Sequence, residues 1–240
     1  MSPDDLRDAL DAAFPAAWRD ILRQRVPFYR AFDEVEQERF EDKVQHFVLT
    51  KTFTSRTLEI TDEMRVVVAA AACRLTLNLS WVDYASVRHV ELRGDDSWDH
   101  DGGPVIGTGS RWKVTLSWPN LLDGMVTPHD GDNVGFHEFA HALDEGHDSG
   151  AHRPPADLYT VWTDVISEAR ADIAAAIRRG VEPALDPYAA KSDAELFAVA
   201  TEWFFERSHD LRDAMPALFA LLRDFYQQDP SCYGAQPRRT

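Results

Sequence analysis

The chain has 240 residues, with 41 acidic against 25 basic side chains and a formal net charge of −16 at pH 7. This charge repels phosphate backbones and anionic lipid, so we expect no nucleic-acid partner and no membrane association. The longest purely apolar run, residues 66–73, is far shorter than the roughly 20 residues that a bilayer-spanning helix needs.

The start of the chain and its cysteines favour a cytoplasmic protein. Met1–Leu6 contains acid where a signal peptide has base, and no apolar segment follows. Cys73 and Cys232 lie far apart in sequence, and two cysteines make no disulfide framework. We therefore expect one small core residue and one free thiol near the end of the chain.

The first third of the chain has helical periodicity. Apolar residues recur every three to four positions over 4–24 and over 33–48, and Pro27 interrupts the pattern between them. A third helix is predicted over 63–79, with Asp62 as its cap.

Short strands and loops follow in the middle of the chain. Residues 86–92 alternate weakly and predict a strand, whereas residues 112–118 alternate clearly and predict a strand with one solvent-facing side. The segments 94–110 and 123–133 lack periodicity and predict loops.

Helical patterns return in the last part of the chain, over 134–143, 156–178, 192–206 and 210–227. No internal repeat and no linker interrupts the sequence. The pattern as a whole predicts one mainly helical α+β domain with a small sheet.

The most informative motif is His137-Glu138-Phe139-Ala140-His141. The two histidines are four residues apart, so on a helix both imidazoles project from one face, while the apolar neighbours form a buried stripe. Such a pair can hold Zn²⁺, with Glu138 as general base towards the attacking water. The alternative is an amphipathic helix with two hydrogen-bonded histidines, which the buried context makes less favourable.

A catalytic zinc needs a third protein ligand, and two positions compete for that role. His147 follows His137 by ten residues, the spacing of the HExxHxxGxxH peptidases, in which a glycine turns the chain. Here Asp144 occupies the glycine position and Gly146 comes two residues late, so we expect His147 to be a loop residue.

Two glutamates on a later helix are the other candidates. Glu195 and Glu202 are seven residues apart and therefore share a face of a helix whose other positions are almost all apolar. Buried carboxylates are costly unless they are paired or bind a metal. The pattern alone does not decide which of the two is the ligand.

The sequence resembles the Mlc titration factor A family of bacterial zinc metallopeptidases, a gluzincin group that is also similar to the catalytic domain of anthrax lethal factor. The matching stretches are ordered along nearly the whole chain: 14–18, 26–29, 61–64, 116–118, 133–144, 186–190, 194–199 and 202–205. The resemblance implies a zincin-like catalytic core over 61–230, preceded by a helical part over 1–60 and followed by a tail over 231–240, all in one domain.

The resemblance also implies residue roles. It implies one zinc per chain held by His137, His141 and Glu195, and Glu138 as the base. Tyr188 matches a tyrosine that family members place near the metal. Glu202 then becomes an outer carboxylate that supports a ligand.

Asp144 is a further outer-carboxylate candidate, because it follows His137 by two helical turns and so lies on the same face. The segment 146–155 contains proline and histidine, and we do not expect its length and composition to be constant within the family.

These features predict a peptidase that hydrolyses peptide bonds, with the resemblance implying aminopeptidase activity on small peptides. The strand over 112–118 is a candidate for edge pairing with an extended peptide. A structural zinc fits poorly, because such sites usually have four ligands rich in cysteine, and neither cysteine is near the motif.

The alternative function is regulatory. The resemblance implies that a family member can sequester a transcriptional repressor of sugar uptake, Mlc, which needs no turnover. The loops over 94–110 and 123–133 are then the candidate contact surface.

Overall fold

The computed structural model describes residues 2–79, 84–94, 112–127, 129–148 and 156–232. The described α-helices are α1 (Pro3–Asp11), α2 (Ala16–Arg25), α3 (Glu34–Thr50), α4 (Asp62–Leu75), α5 (Trp118–Val126), α6 (Val134–Asp148), α7 (Ala156–Arg178), α8 (Asp193–Glu206), α9 (Ser208–Ala214) and α10 (Pro216–Tyr226). The strands are β1 (Thr52–Ser55), β2 (Val87–Arg93) and β3 (Trp112–Ser117), and short 3-10 helices cover Pro27–Ala31, Pro187–Ala190 and Pro230–Cys232. The fold is α+β and mainly helical, as predicted.

The three strands form one parallel sheet in the order β1-β2-β3. The register places Phe53 beside Val90 and Val90 beside Val114, so apolar side chains align across the sheet. β3 lies at the edge of the described sheet and packs against α6. The sheet therefore lies beside the helix that contains both histidines of the motif.

Two stretches that the sequence predicts as single helices are each interrupted next to a proline. The stretch predicted as one helix over 4–24 is α1 and α2, with an irregular segment from Ala12 to Pro15 between them. The stretch predicted over 210–227 is α9 and α10, and α10 begins at Pro216. Proline lacks the backbone N–H that a helix interior needs but fits the first helical position.

The third helix, α4, is shorter than predicted. It ends at Leu75 instead of continuing to about residue 79. Its cap is Thr61, whose side chain accepts a hydrogen bond from the Met64 N–H, whereas Asp62 is the first helical residue. The carboxylate of Asp62 at this position still favours the positive end of the helix dipole.

The middle of the chain differs most from the prediction. β1 and α5 were not predicted, and α5 occupies part of the segment 123–133 that was expected to be a loop. Ser117 caps α5, so Trp118 belongs to the helix and not to the strand. Thr115 and Ser117 are both buried, so the described part of β3 has no clean solvent-facing side. The predicted loop over 94–110 lies outside the described residues apart from Gly94.

α4 is the central helix of the core, and from Val66 to Leu75 every residue is buried. α2, α3, α5 and α6 all pack against it, which explains why it is apolar on all sides. Among the described helices, none combines the length and the apolar character that crossing a membrane requires.

The start of α6 approaches its neighbours closely at Gly135. A Cβ atom there would lie 2.6 Å from Cδ1 of Leu121 on α5 and 2.8 Å from Cβ of Ala71 on α4. Only a residue without a side chain fits this contact. The close packing fixes the beginning of α6 against the core, and His137 follows two residues later.

A partly buried ion pair joins the N-terminal helices. Arg19 on α2 donates two hydrogen bonds to the Glu41 carboxylate on α3, at 2.7 and 2.6 Å, and the Tyr29 hydroxyl donates a third at 2.5 Å. Burial favours the neutral acid, but these three donors outweigh it and keep the pKa of Glu41 below its ordinary value. This cluster stabilises the packing of α2 on α3.

Candidate metal centre

The two histidines of the motif converge on one point at the surface of α6. His137 and His141 are 8 % and 7 % exposed, and their Nε2 atoms are 3.2 Å apart. The four-residue spacing puts both rings on one helix face, and the opposite face of α6 is held in the core by Phe136 and Phe139. The rings are therefore fixed by packing before any ligand binds.

α8 supplies a third donor to the same point. Oε2 of Glu195 lies 3.3 Å from Nε2 of His137 and 3.2 Å from Nε2 of His141. Within the described part of the chain, these three side chains are the group whose donor atoms converge closely enough to hold a metal ion. Of the two glutamates that the sequence left open, Glu195 is the one whose carboxylate meets both imidazoles.

The three donor atoms form a nearly equilateral triangle with edges of 3.2 to 3.3 Å. Ligands at about 2.0 Å from a tetrahedral zinc lie about 3.3 Å from one another. Two imidazoles and one carboxylate are also a ligand set that zinc accepts in catalytic sites, with a fourth position left for water or substrate. The residues present therefore fit a zinc ion in both geometry and chemistry.

Local structure orients the Glu195 carboxylate. Ser192 caps α8 and accepts a hydrogen bond from the Glu195 N–H at 3.1 Å. The Tyr188 hydroxyl donates to Oε1 of Glu195 at 3.1 Å, which leaves Oε2 directed at the imidazoles. Tyr188, on the 3-10 helix before α8, is thus part of the same cluster.

The charges of this cluster favour a cation at its centre. Burial opposes a charge on His137, but hydrogen bonds to Glu195 and Glu202 outweigh burial and raise the pKa of His137 to about 10. Burial alone would raise the pKa of Glu195, yet the hydrogen bonds to His137 and His141 hold it well below its ordinary value. Carboxylates that stabilise an added proton on an imidazole stabilise a metal cation for the same electrostatic reason.

Glu202 contacts the other side of the His137 ring. Its Oε1 lies 2.8 Å from Nδ1 of His137, and its Oε2 accepts a hydrogen bond from the Asn133 N–H at 2.6 Å. A carboxylate accepts hydrogen bonds, so in the neutral ring that binds a metal Nδ1 is the protonated nitrogen and Nε2 presents its lone pair to the cluster. The carboxylate thus selects the tautomer of His137 that a metal needs.

We expect the substitution Glu202→Gln to weaken zinc binding about 10- to 100-fold. The amide has one acceptor oxygen where the carboxylate has two, so either Nδ1 of His137 or the Asn133 N–H faces another donor. Competition with a chromogenic chelator measures the affinity. Glu182→Gln is the control, because Glu182 is exposed in the same cleft and should leave the affinity unchanged. Equal affinities of the two variants would contradict this role for Glu202.

The structure places the remaining sequence-predicted residues on α6. Glu138 is 2 % exposed and lies beside His137, close enough for its charge to raise the pKa of that ring. Asp144 is half-buried, and its contact with an imidazole remains a prediction. α6 continues without a break through His147 to Asp148, so the expectation that His147 is a loop residue was wrong. The segment 149–155 lies outside the described residues.

Sequence reasoning missed two residues next to the site, Asn133 and Glu206. Nδ2 of Asn133 donates to Oε1 of Glu206 at 2.9 Å, and Oδ1 of Asn133 accepts from the Phe136 N–H at 3.1 Å. Glu206 is 4 % exposed and follows Glu202 by four residues, so it continues the same carboxylate face of α8. That spacing was a signal available in the sequence.

A cleft of about 630 Å³ opens at His137. Its walls contain carboxylates from two segments, and Trp203 with Arg207 from the end of α8. Besides Glu202 on α8, the acidic lining residues are Asp130 and Asp132 in one segment and Glu182 and Asp186 in the other. The described cleft is therefore rich in negative charge beside the point where the donors converge.

Comparison with known proteins relates this geometry to a family. The family model of the glucose-regulated metallo-peptidase M90 matches residues 5–227. An uncharacterised protein of Synechocystis is 29% identical, with 90% of this chain and 85% of the relative aligned. Mlc titration factor A of Yersinia enterocolitica is 30% identical over 90% of this chain and 86% of its own length. The protein of the same name from Yersinia pestis is 30% identical over 90% of this chain and 85% of its own length.

Proposed function

The chain belongs to the glucose-regulated metallo-peptidase M90 family, and on that premise we propose that it is a zinc-dependent peptidase. The observation that supports this most strongly is the triangle of Nε2 of His137, Nε2 of His141 and Oε2 of Glu195, with edges of 3.2 to 3.3 Å. We propose that these three residues bind the ion and that Glu202 orients His137 through its contact with the other side of the ring.

When bound, zinc supplies Lewis-acid polarisation of a carbonyl and makes water more acidic. Glu138 takes the proton from the attacking water and passes it to the leaving amine. Its position directly after His137 on α6, and its burial away from bulk water, support this role.

Tyr188 is the proposed donor to the oxyanion of the tetrahedral intermediate. Its hydroxyl lies 3.1 Å from Oε1 of Glu195, and Nζ of Lys191 lies 3.3 Å from that hydroxyl. Burial raises the pKa of Tyr188, although Lys191 acts in the opposite direction, so the hydroxyl keeps its proton at neutral pH. A protonated phenol is the form that can donate.

We propose aminopeptidase action on small peptides. The carboxylates of Asp130, Asp132, Glu182 and Asp186 along the cleft favour a substrate with a free, positively charged α-amino group. β3 lies at the edge of the described sheet and beside α6, which supports its proposed role in pairing with an extended peptide.

The test is hydrolysis of chromogenic aminoacyl substrates by the purified protein, compared with the same substrates after N-acetylation. The proposal predicts hydrolysis of the free-amine substrates, its loss on treatment with a chelator and its recovery on adding zinc. Acetylation should strongly reduce hydrolysis because it removes the charge that the cleft attracts. A zinc-loaded protein that cleaves neither set would contradict the peptidase proposal. Equal cleavage of both sets would contradict aminopeptidase specificity but not peptidase activity.

A regulatory function is the second candidate, and the names of the Yersinia relatives favour it. Mlc titration factor A is named for titration of Mlc. A binding protein of this kind would sequester a repressor without turnover. A variant without hydrolytic activity that still binds such a partner would separate the two functions.

A further inference from the structure

The segment that leads into α6 has an unusual backbone conformation. His129 and Gly131 both have positive φ, at 79° and 85°. Glycine adopts this region freely, but a residue with a side chain does so at a cost and needs surrounding contacts to hold it. The turn from 129 to 133 therefore depends on its partners, and it ends four residues before His137.

Glu206, the last residue of α8, supplies those partners. Its Oε2 accepts a hydrogen bond from the Gly131 N–H at 3.0 Å, and its Oε1 accepts from Nδ2 of Asn133 at 2.9 Å. Its backbone carbonyl lies 3.0 Å from Nδ1 of His129. One buried residue thus contacts the turn at three points.

Asn133 transmits this contact to the metal helix. Its Oδ1 caps α6 by accepting from the Phe136 N–H, and its own N–H donates to Oε2 of Glu202 at 2.6 Å. Oε1 of Glu202 in turn contacts Nδ1 of His137 at 2.8 Å. A continuous path of hydrogen bonds therefore runs from Glu206 through Asn133 and Glu202 to the His137 ring.

The charge state of Glu206 is consistent with a positioning role. Burial raises its pKa to about 9, and the N–H donors of Asn133 and Gly131 offset only part of that effect, while Asp130 adds to it. At neutral pH Glu206 is therefore protonated and adds no second negative charge behind Glu202. Both of its oxygens still accept hydrogen bonds, which no amide side chain reproduces at two donors.

We propose that Glu206 and Asn133 are positioning residues that fix the ring of His137 through Glu202 and so set the metal affinity of the site. The inference rests on the proposed metal-binding function. A positioning role differs from a purely structural role, because substitution should then lower the metal affinity of the site more than the stability of the fold.

The test uses Glu206→Gln, Asn133→Ser and the control Glu41→Gln. In Glu206→Gln the amide nitrogen faces one of the two N–H donors, and Asn133→Ser keeps a good helix cap but removes the donor to Glu206. Glu41→Gln also alters a buried carboxylate that accepts several hydrogen bonds, but those come from Arg19 and Tyr29 in the N-terminal helices. Zinc affinity by chelator competition, the visible spectrum of the cobalt-substituted protein and the melting temperature of the metal-free protein are measured for each.

We expect zinc affinity to fall about tenfold or more in Glu206→Gln and in Asn133→Ser, with an altered cobalt spectrum. Glu41→Gln should melt at a lower temperature yet bind zinc as the wild type does. If Glu206→Gln and Asn133→Ser melt lower but keep wild-type zinc affinity and cobalt spectrum, the positioning role is overturned.

Parallel measurements on the wild type keep this inference separate from the proposed function. Zinc binding without peptide hydrolysis would overturn the peptidase proposal alone, and the affinities of the variants would still decide the role of Glu206. A wild-type protein that binds no zinc would overturn both.

Discussion

Replacing Glu138 with glutamine is expected to lower kcat/KM for peptide hydrolysis by about 10²- to 10⁴-fold while leaving the zinc content unchanged. Glutamine has nearly the same shape as glutamate but cannot take a proton from water. Glu138 is 2 % exposed and is not among the three converging donors, so the substitution should alter neither packing nor metal ligation. Steady-state kinetics and elemental analysis of the same sample provide the measurement.

The matched control is Glu182→Gln, which removes an exposed carboxylate from the same cleft. It tests whether the loss of activity arises from the general negative charge of the cleft or from Glu138 itself. A Glu138→Gln protein that keeps a tenth or more of wild-type activity would contradict the role of Glu138 as base. The same variant also serves the regulatory alternative, since it should retain any binding that needs no turnover.

Replacing Tyr188 with phenylalanine is expected to lower kcat by about 10²- to 10³-fold with little change in KM. The hydroxyl is the proposed donor to charge that develops only in the transition state, so its loss should affect turnover more than substrate binding. In the structure the same hydroxyl also contacts Oε1 of Glu195 at 3.1 Å. Kinetics with zinc content measured in parallel therefore distinguish two roles.

If the zinc content of Tyr188→Phe is unchanged and kcat falls, Tyr188 acts on the reacting atoms. If the zinc content falls in proportion to the activity, Tyr188 instead orients the Glu195 carboxylate, which would contradict its assignment as oxyanion donor. Tyr29→Phe is the control, since its hydroxyl contacts Glu41 in the N-terminal helices. It should lower stability without changing kcat.

Local sequence predicted the parts of the site that lie on single helices. The spacing of His137 and His141 alone places both rings on one face of α6, and the apolar context of α8 singled out Glu195 and Glu202. Which carboxylate meets the imidazoles depends on how α6 and α8 pack against each other. Spacing within one helix contains no such information, and only the family resemblance favoured Glu195 beforehand.

The contacts of Asn133 and Glu206 show a second limit of prediction from local sequence. They join residues 73 positions apart in the chain, and they hold a turn in which His129 has a positive φ. The four-residue step from Glu202 to Glu206 was visible in the sequence, but the partner of Glu206 was not. Long-range polar contacts of this kind follow from tertiary packing, which a pattern of local periodicity does not encode.

The differences between the predicted and the observed strands have similar causes. β1 has four residues, Thr52–Ser55, too few to give a clear alternation, and it is stabilised by pairing with β2. Ser117 and Thr115 on β3 are polar yet buried, so the alternation of the sequence predicted a solvent-facing side that the fold covers. Parallel strands are commonly covered on both faces, which weakens the alternation rule.

The most direct test of the metal site is the zinc content of the wild-type protein, Glu195→Ala and His147→Ala by elemental analysis. The three-ligand site formed by His137, His141 and Glu195 predicts one zinc per chain in the wild type and in His147→Ala, and none in Glu195→Ala. Loss of zinc in His147→Ala with retention in Glu195→Ala, or a wild type that binds no zinc, would contradict it.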